Sequence, residues 1–157
     1  MPRAEGERSE LLSIPRTGVY PKGSLDLVAV YESLSSAYGN GSSGALATFM
    51  GIARSTSRTG KWVVEVVMEA YVENAEAELR RIVSEAAERH GLTFAGIWHL
   101  LGSFKPGEPI VLVASVGPRR RGVMDALAEM VERYKREPAL FKKEVYADGT
   151  SEWVEEQ

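Results

Sequence analysis

The stretch TFAGIWHLLGSFKPGEPIVLVASV, residues 93–116, consists of two apolar runs divided by Lys105-Pro106-Gly107-Glu108. Proline fixes φ and glycine accepts positive φ, so this tetrapeptide is a turn. Four residues suffice to reverse a strand but are far too few for the crossover that parallel strands need. The pattern predicts antiparallel neighbours.

Moving outward, residues 74–89 are rich in Ala, Glu, Leu and Arg, with Ala75, Leu79, Ile82 and Ala86 on one stripe and His90-Gly91 as the stop. This predicts a helix. Before it, GALATFMGIAR (44–54) and KWVVEVVMEAY (61–71) are β-branched and aromatic enough for strands, and the polar STSRTG between them predicts a hairpin. LDLVAVYESLSSAYGNG (25–41) repeats Leu25, Val28, Tyr31 and Leu34 every three residues, predicting a first helix. On the C-terminal side, 119–136 is helical. KKEVY (142–146) and SEWVE (151–155) flank Ala147-Asp148-Gly149-Thr150 as a terminal hairpin.

The predicted order αββαββαββ makes an α+β fold with mostly antiparallel strands. Residues 1–20, punctuated by Pro15, read as a loosely ordered N-terminal arm, and 21–157 as a single domain. GNGSSG (39–44) leads into a strand, whereas a phosphate loop must open a helix, so it reads as a connector.

Composition narrows the chemistry. The 157 residues hold 44% hydrophobic and 26% charged residues and no cysteine, which excludes disulfides, thiolate metal sites and cysteine nucleophiles. Two histidines, His90 and His99, leave little material for a zinc site or a Ser-His-Asp triad, so no metal or cofactor is expected. His99, inside an alternating strand, reads as structural. There is no apolar run of membrane-spanning length and no secretory h-region, so the expectation is a cytoplasmic protein. Residues 119–143 carry eight Lys and Arg against four Asp and Glu, a net +4 within a chain of net −3. A cationic region on an acidic chain suits a local anionic ligand better than nucleic acid.

The third helix shows where those cations go. Val123, Leu127, Met130 and Tyr134 form the core stripe, and beside it runs Arg120, Met124, Ala128, Val131, Lys135. Lys135 thus continues an apolar line, which fits either a snorkelling lysine or a placed amine. Arg120 and Lys135 are fifteen residues apart, about 22 Å along a helix, too far to hold one small anion from one chain. Pro138 turns the chain and can fold Lys142 back towards Lys135. Two converging ammonium groups repel, which favours a neutral, nucleophilic amine; the alternative is a pair of point charges for phosphate or carboxylate.

GALATFMGIAR, MEAY, IWHLLGSFKPGEPIVLVAS, YKREPALFKKE and the terminal Trp-Val-Glu, in this order over residues 44–155, resemble the large, catalytic subunit of molybdopterin synthase. The resemblance implies an α/β hammerhead-type fold and a homodimer within a heterotetramer completed by two ubiquitin-like small subunits. It also implies sulfur transfer from a small subunit's C-terminal Gly-Gly thiocarboxylate to cyclic pyranopterin monophosphate, forming the molybdopterin dithiolene. Carried onto this sequence, it makes Lys135 and Lys142 the catalytic lysines. Phe49, Ile52, Ala53 and Arg54, at the T-F-x-G-x-x-R strand end, would bind substrate or the incoming tail, as would Lys143 and Glu144. Arg119 and Arg120 would bind the phosphate, with Arg119 where the family has histidine. Leu100 follows His99 where the family has arginine, and Gln157 stands near another family arginine. The competing expectation is a docking module that holds a ubiquitin-like tail or a small phosphorylated ligand without chemistry.

Overall fold

The computed structural model describes residues 14–155. The hairpin is present: β4 (Phe94–Phe104) and β5 (Pro109–Gly117) pair antiparallel from Phe94 opposite Val116 to His99 opposite Val111. Their turn is closed by Glu108, whose Oε1 accepts from the Lys105 N–H at 2.8 Å, with Gly107 at φ +94°. β4 outruns this pairing. Beyond Gly102, at φ +133°, residues Gly102–Phe104 pair instead with Val66–Met68 of β3 (Val63–Ala70). One long strand therefore serves two halves of a seven-stranded sheet, ordered β2-β5-β4-β3-β6-β7. Here β2 is Ala45–Ile52, β6 is Leu140–Tyr146 and β7 is Ser151–Val154, and every pairing along this path is antiparallel.

Strand alternation makes two cores. Trp98, Leu100, Leu112, Ala114 and Val116 face α1 (Leu27–Tyr38). Ile97, Val111 and Val113 face the other way, against Leu79 and Ile82 of α2 (Val72–His90) and Met130 of α3 (Arg120–Tyr134). Burial on both faces is why β4 and β5 read as near-continuous apolar runs rather than alternating ones. Gly96 is required by packing: a Cβ there would lie 2.4 Å from the Trp98 indole.

Three expectations change. β2 and β3 are not a hairpin; only Thr56 and Trp62 bridge them. STSRTG closes its own tight turn, with the Ser57 N–H donating to Lys61 O at 2.9 Å. Beyond that turn β2 gains an eight-residue register with β5, while β3 is satisfied between β4 and β6. The first helix buries Leu27, Val30, Leu34 and Ala37, leaving Val28 and Tyr31 exposed: a period of three drifts off a 3.6-residue helix face within two turns. The arm expected over 1–20 is held from Ile14 on; residues 1–13 lie outside the described residues. Gly18–Pro21 form β1, parallel to Trp98–Leu101, and the Trp98 indole N–H donates to Pro15 O at 2.8 Å. Four residues are too few to show a period. The order becomes βαββαββαββ, and β1 is the parallel exception in a mostly antiparallel α+β fold.

Candidate active site

The turn at Pro138 brings the two lysines together. α3 ends at Tyr134 with Lys135 as its last, still helical, cap residue. The Arg136 and Glu137 N–H groups then donate to Arg133 O at 3.1 and 3.0 Å. The next segment is pinned to α2: the Ala139 N–H donates to Asn74 Oδ1 at 2.9 Å, and Pro138 itself is buried. β6 then runs back along β3, with Lys142 opposite Met68 and Glu144 opposite Val66.

Arg133, just before Lys135, anchors this corner. Its guanidinium reaches Glu137 and Glu129 on its own helix segment and Glu85 of α2 at 2.6 Å, while Arg81 of α2 holds Glu137 at 2.9 Å. The hydrogen bonds it donates to Glu137, Glu85 and Glu129 outweigh burial and raise the Arg133 pKa above its ordinary value. The hydrogen bond from Arg133 holds the Glu137 carboxyl below the usual range.

Two adjoining cavities open at the corner. The larger, of about 1130 Å³, is walled by Phe49, Ile52, Ala53 and Arg54 from the end of β2, by Lys135, and by Lys142 and Glu144 of β6, among others. Its rim is aromatic: Tyr71 and Phe141 meet edge to face at 5.6 Å, and both are exposed. The smaller, of about 460 Å³, lies between the 54–59 turn and the β6–β7 hairpin. Arg54, Lys135, Lys142 and Glu144 line both. The arrangement sets three cations and one buried carboxylate at the junction of an apolar mouth and a polar recess. Such a site can take in an extended chain end and hold an anionic group beside an amine.

The structure thus brings Lys135, Lys142, Phe49, Ile52, Ala53, Arg54 and Glu144 to one place, and leaves three expected residues outside. Lys143 is on the opposite face of β6, because successive strand side chains point to opposite sides; its ammonium lies 5.5 Å from the Trp153 ring centre. Arg119 and Arg120 are exposed at the far end of α3, outside both cavities. His99 is buried, its Nδ1–H donating to Leu100 O at 2.8 Å and its ring set edge-on to Tyr134, yet it also borders the larger cavity. Gln157 lies outside the described residues. Sequence reasoning missed Tyr146, whose hydroxyl reaches Glu144, and the turn residues Thr56 to Thr59 in the smaller cavity. Alternation from Lys142 would have found Tyr146 and set Lys143 aside.

The sequence matches the MoaE protein family across residues 22–137. The chain belongs to the MoaE family. It is 38% identical to a molybdopterin synthase catalytic subunit of Rhizobium meliloti over 71% of this chain and 70% of that one. It is 34% identical to one from Pyrococcus abyssi, over 73% and 76%. Among solved structures, molybdopterin synthase from Staphylococcus aureus superposes with a TM-score of 0.77 at 26% identity, covering 89% of this chain and 97% of that one. A chain from the complex of subunits 1 and 2 of molybdopterin-converting factor of Helicobacter pylori, 17% identical with a TM-score of 0.72, shares the fold. Among the described residues, no helix is long and apolar enough to cross a membrane.

Proposed function

We propose that the paired cavities receive the C-terminal thiocarboxylate of a ubiquitin-like small subunit and pass its sulfur to cyclic pyranopterin monophosphate, building the molybdopterin dithiolene. Family membership carries a role in molybdenum cofactor biosynthesis, that of a sulfur-transferring catalytic subunit. The observation that supports the finer reading is the shared wall of Arg54, Lys135 and Lys142 behind an aromatic mouth. A Gly-Gly tail carries no side chains to clear, and its anionic end would meet the cations that line both cavities. Lys142 activates the attack and Lys135 positions the thiocarboxylate or the intermediate. Sulfur arrives on the partner, so the reading needs neither cysteine nor a resident cofactor from this chain.

Arg119 and Arg120 bind the substrate phosphate in this reading. At about 22 Å from Lys135 they do so in the site of a second copy, within a homodimer that carries two small subunits. Mixing the purified protein with thiocarboxylated small subunit and the pterin precursor should yield molybdopterin, and Lys142→Ala should abolish the yield. A fully active Lys142→Ala variant would refute the assignment. Tail binding without turnover in the unmutated protein would select the docking-module reading.

A further inference from the structure

Glu144 and Glu152 are direct cross-strand partners in the β6–β7 hairpin. Like charges set opposite one another in an antiparallel pair destabilise it. Glu144 is also buried, at 8% exposure, where an ionised carboxylate is costly without partners. Tyr146 lies between them. Its hydroxyl is 3.3 Å from Glu144 Oε1 and 3.0 Å from Glu152 Oε2, and a phenol has one proton to give, so the two carboxylates share one donor.

Tyr146 is itself held firmly. Its N–H donates to Thr150 O at 2.8 Å, its carbonyl accepts from the Gly149 N–H at 3.0 Å, and the Lys61 ammonium sits 4.7 Å from its ring centre. Burial, then the bond to Glu152 and the charge of Glu144, push its phenol up to about 12, so it remains a donor throughout the neutral range. On β6 the residues Lys142, Glu144 and Tyr146 alternate onto one face. Facing Glu144 from other elements are Lys135, Arg54 and Arg58 on the cationic side, and Glu152 and Glu155 on the acidic side.

We infer that Tyr146 is a positioning residue: its hydroxyl fixes the Glu144 carboxylate beside Lys142, and through Glu144 it sets the reactivity of that amine. The inference rests on the proposed sulfur transfer for its catalytic consequence but not for its geometry, and the test separates the two. The full-length protein and its Tyr146→Phe variant, which keeps the ring, are labelled with an acylating reagent at pH 8, and Lys142 modification is followed by mass spectrometry. Releasing Glu144 from its donor should let the carboxylate drift from Lys142 and speed labelling about threefold or more. Tyr146→Phe should also lower kcat about tenfold while the KM for the thiocarboxylated small subunit stays within twofold. In a Glu144→Gln background the same substitution should add no further loss. Unchanged Lys142 labelling overturns the inference, and so does an equal loss of kcat with and without Glu144. If the unmutated protein makes no molybdopterin, the sulfur-transfer reading fails, while the labelling result still decides the role of Tyr146.

Discussion

Replacing Arg133 with glutamine tests whether the corner carrying Lys135 is held by charge. The guanidinium bonds three carboxylates, Glu137, Glu85 and Glu129, and is itself partly buried, so its loss removes several charge-assisted hydrogen bonds at once. None of the three is left stranded, however. Glu137 and Glu85 keep Arg81, and Glu129 keeps Arg89 and His90. The cost should therefore fall below the 3–5 kcal/mol of a stranded buried charge, at about 1–3 kcal/mol. For a chain of this size that is a fall in Tm of about 3–10 °C at neutral pH and low salt, read by thermal unfolding. The pH dependence has a definite sign. The bond from Arg133 holds Glu137, and likewise Glu85, below the ordinary glutamate value of 4.5, so this stability is complete above that value and is lost as pH falls through the folded-state values. The gap between wild type and Arg133→Gln should close in acid, and 1 M salt should narrow it. A Tm within 1 °C of wild type at pH 7, or a gap that widens in acid, would refute the reasoning.

Other consequences are more direct. Lys143→Ala, on the opposite face of β6, should keep sulfur transfer within about twofold of wild type, whereas Lys135→Ala should lower it by about a hundredfold or more, both read as molybdopterin formed per minute. Trp98→Ala should cost about 3–5 kcal/mol in urea unfolding, since the indole is fully buried and its N–H ties Pro15 to the sheet. If the sites are composite, mixing inactive Arg120→Ala and Lys142→Ala proteins should restore activity by forming mixed dimers that hold one intact site; no recovery after subunit exchange would count against shared sites.

The sequence was legible where one face is buried and the period is long. Ala75, Leu79, Ile82 and Ala86 lie on the stripe the spacing predicts, all fully buried, and the KPGE turn sets β4 against β5. It was illegible where the outcome depends on which partners compete. STSRTG carries every local signal of a hairpin, yet β2 and β3 part because the eight-residue register with β5 outweighs a two-strand ribbon. Exposed Val28 and Tyr31 on α1 show the limit of a three-residue count on a 3.6-residue helix. At the site, the lysine pair was readable from Pro138 and their seven-residue spacing. Glu144 was named by its place beside the second lysine, but its burial was not readable, because it depends on pairing with Val66 of β3, distant in sequence.

The two ends of α3 bear on how the site is completed. Its C-terminal end delivers Lys135 to the cavities, while its N-terminal end begins with Arg119, Arg120 and Arg121, all exposed. Positive side chains are disfavoured at a helix N-terminus, where the backbone already presents partial positive charge. No acidic residue stands in the first turn and no side chain caps it. Nothing within the helix's own first turn or cap offsets this arrangement, and helix length keeps these arginines about 22 Å from Lys135. A phosphate would offset it, meeting both the guanidinium groups and the free N–H groups. The substrate of the proposed reaction carries such a phosphate, and the amines that act on it are beyond this end's reach within one chain. Both ends of α3 therefore serve the same chemistry only if they serve different copies of the pocket, which is the arrangement that mixed dimers would reveal.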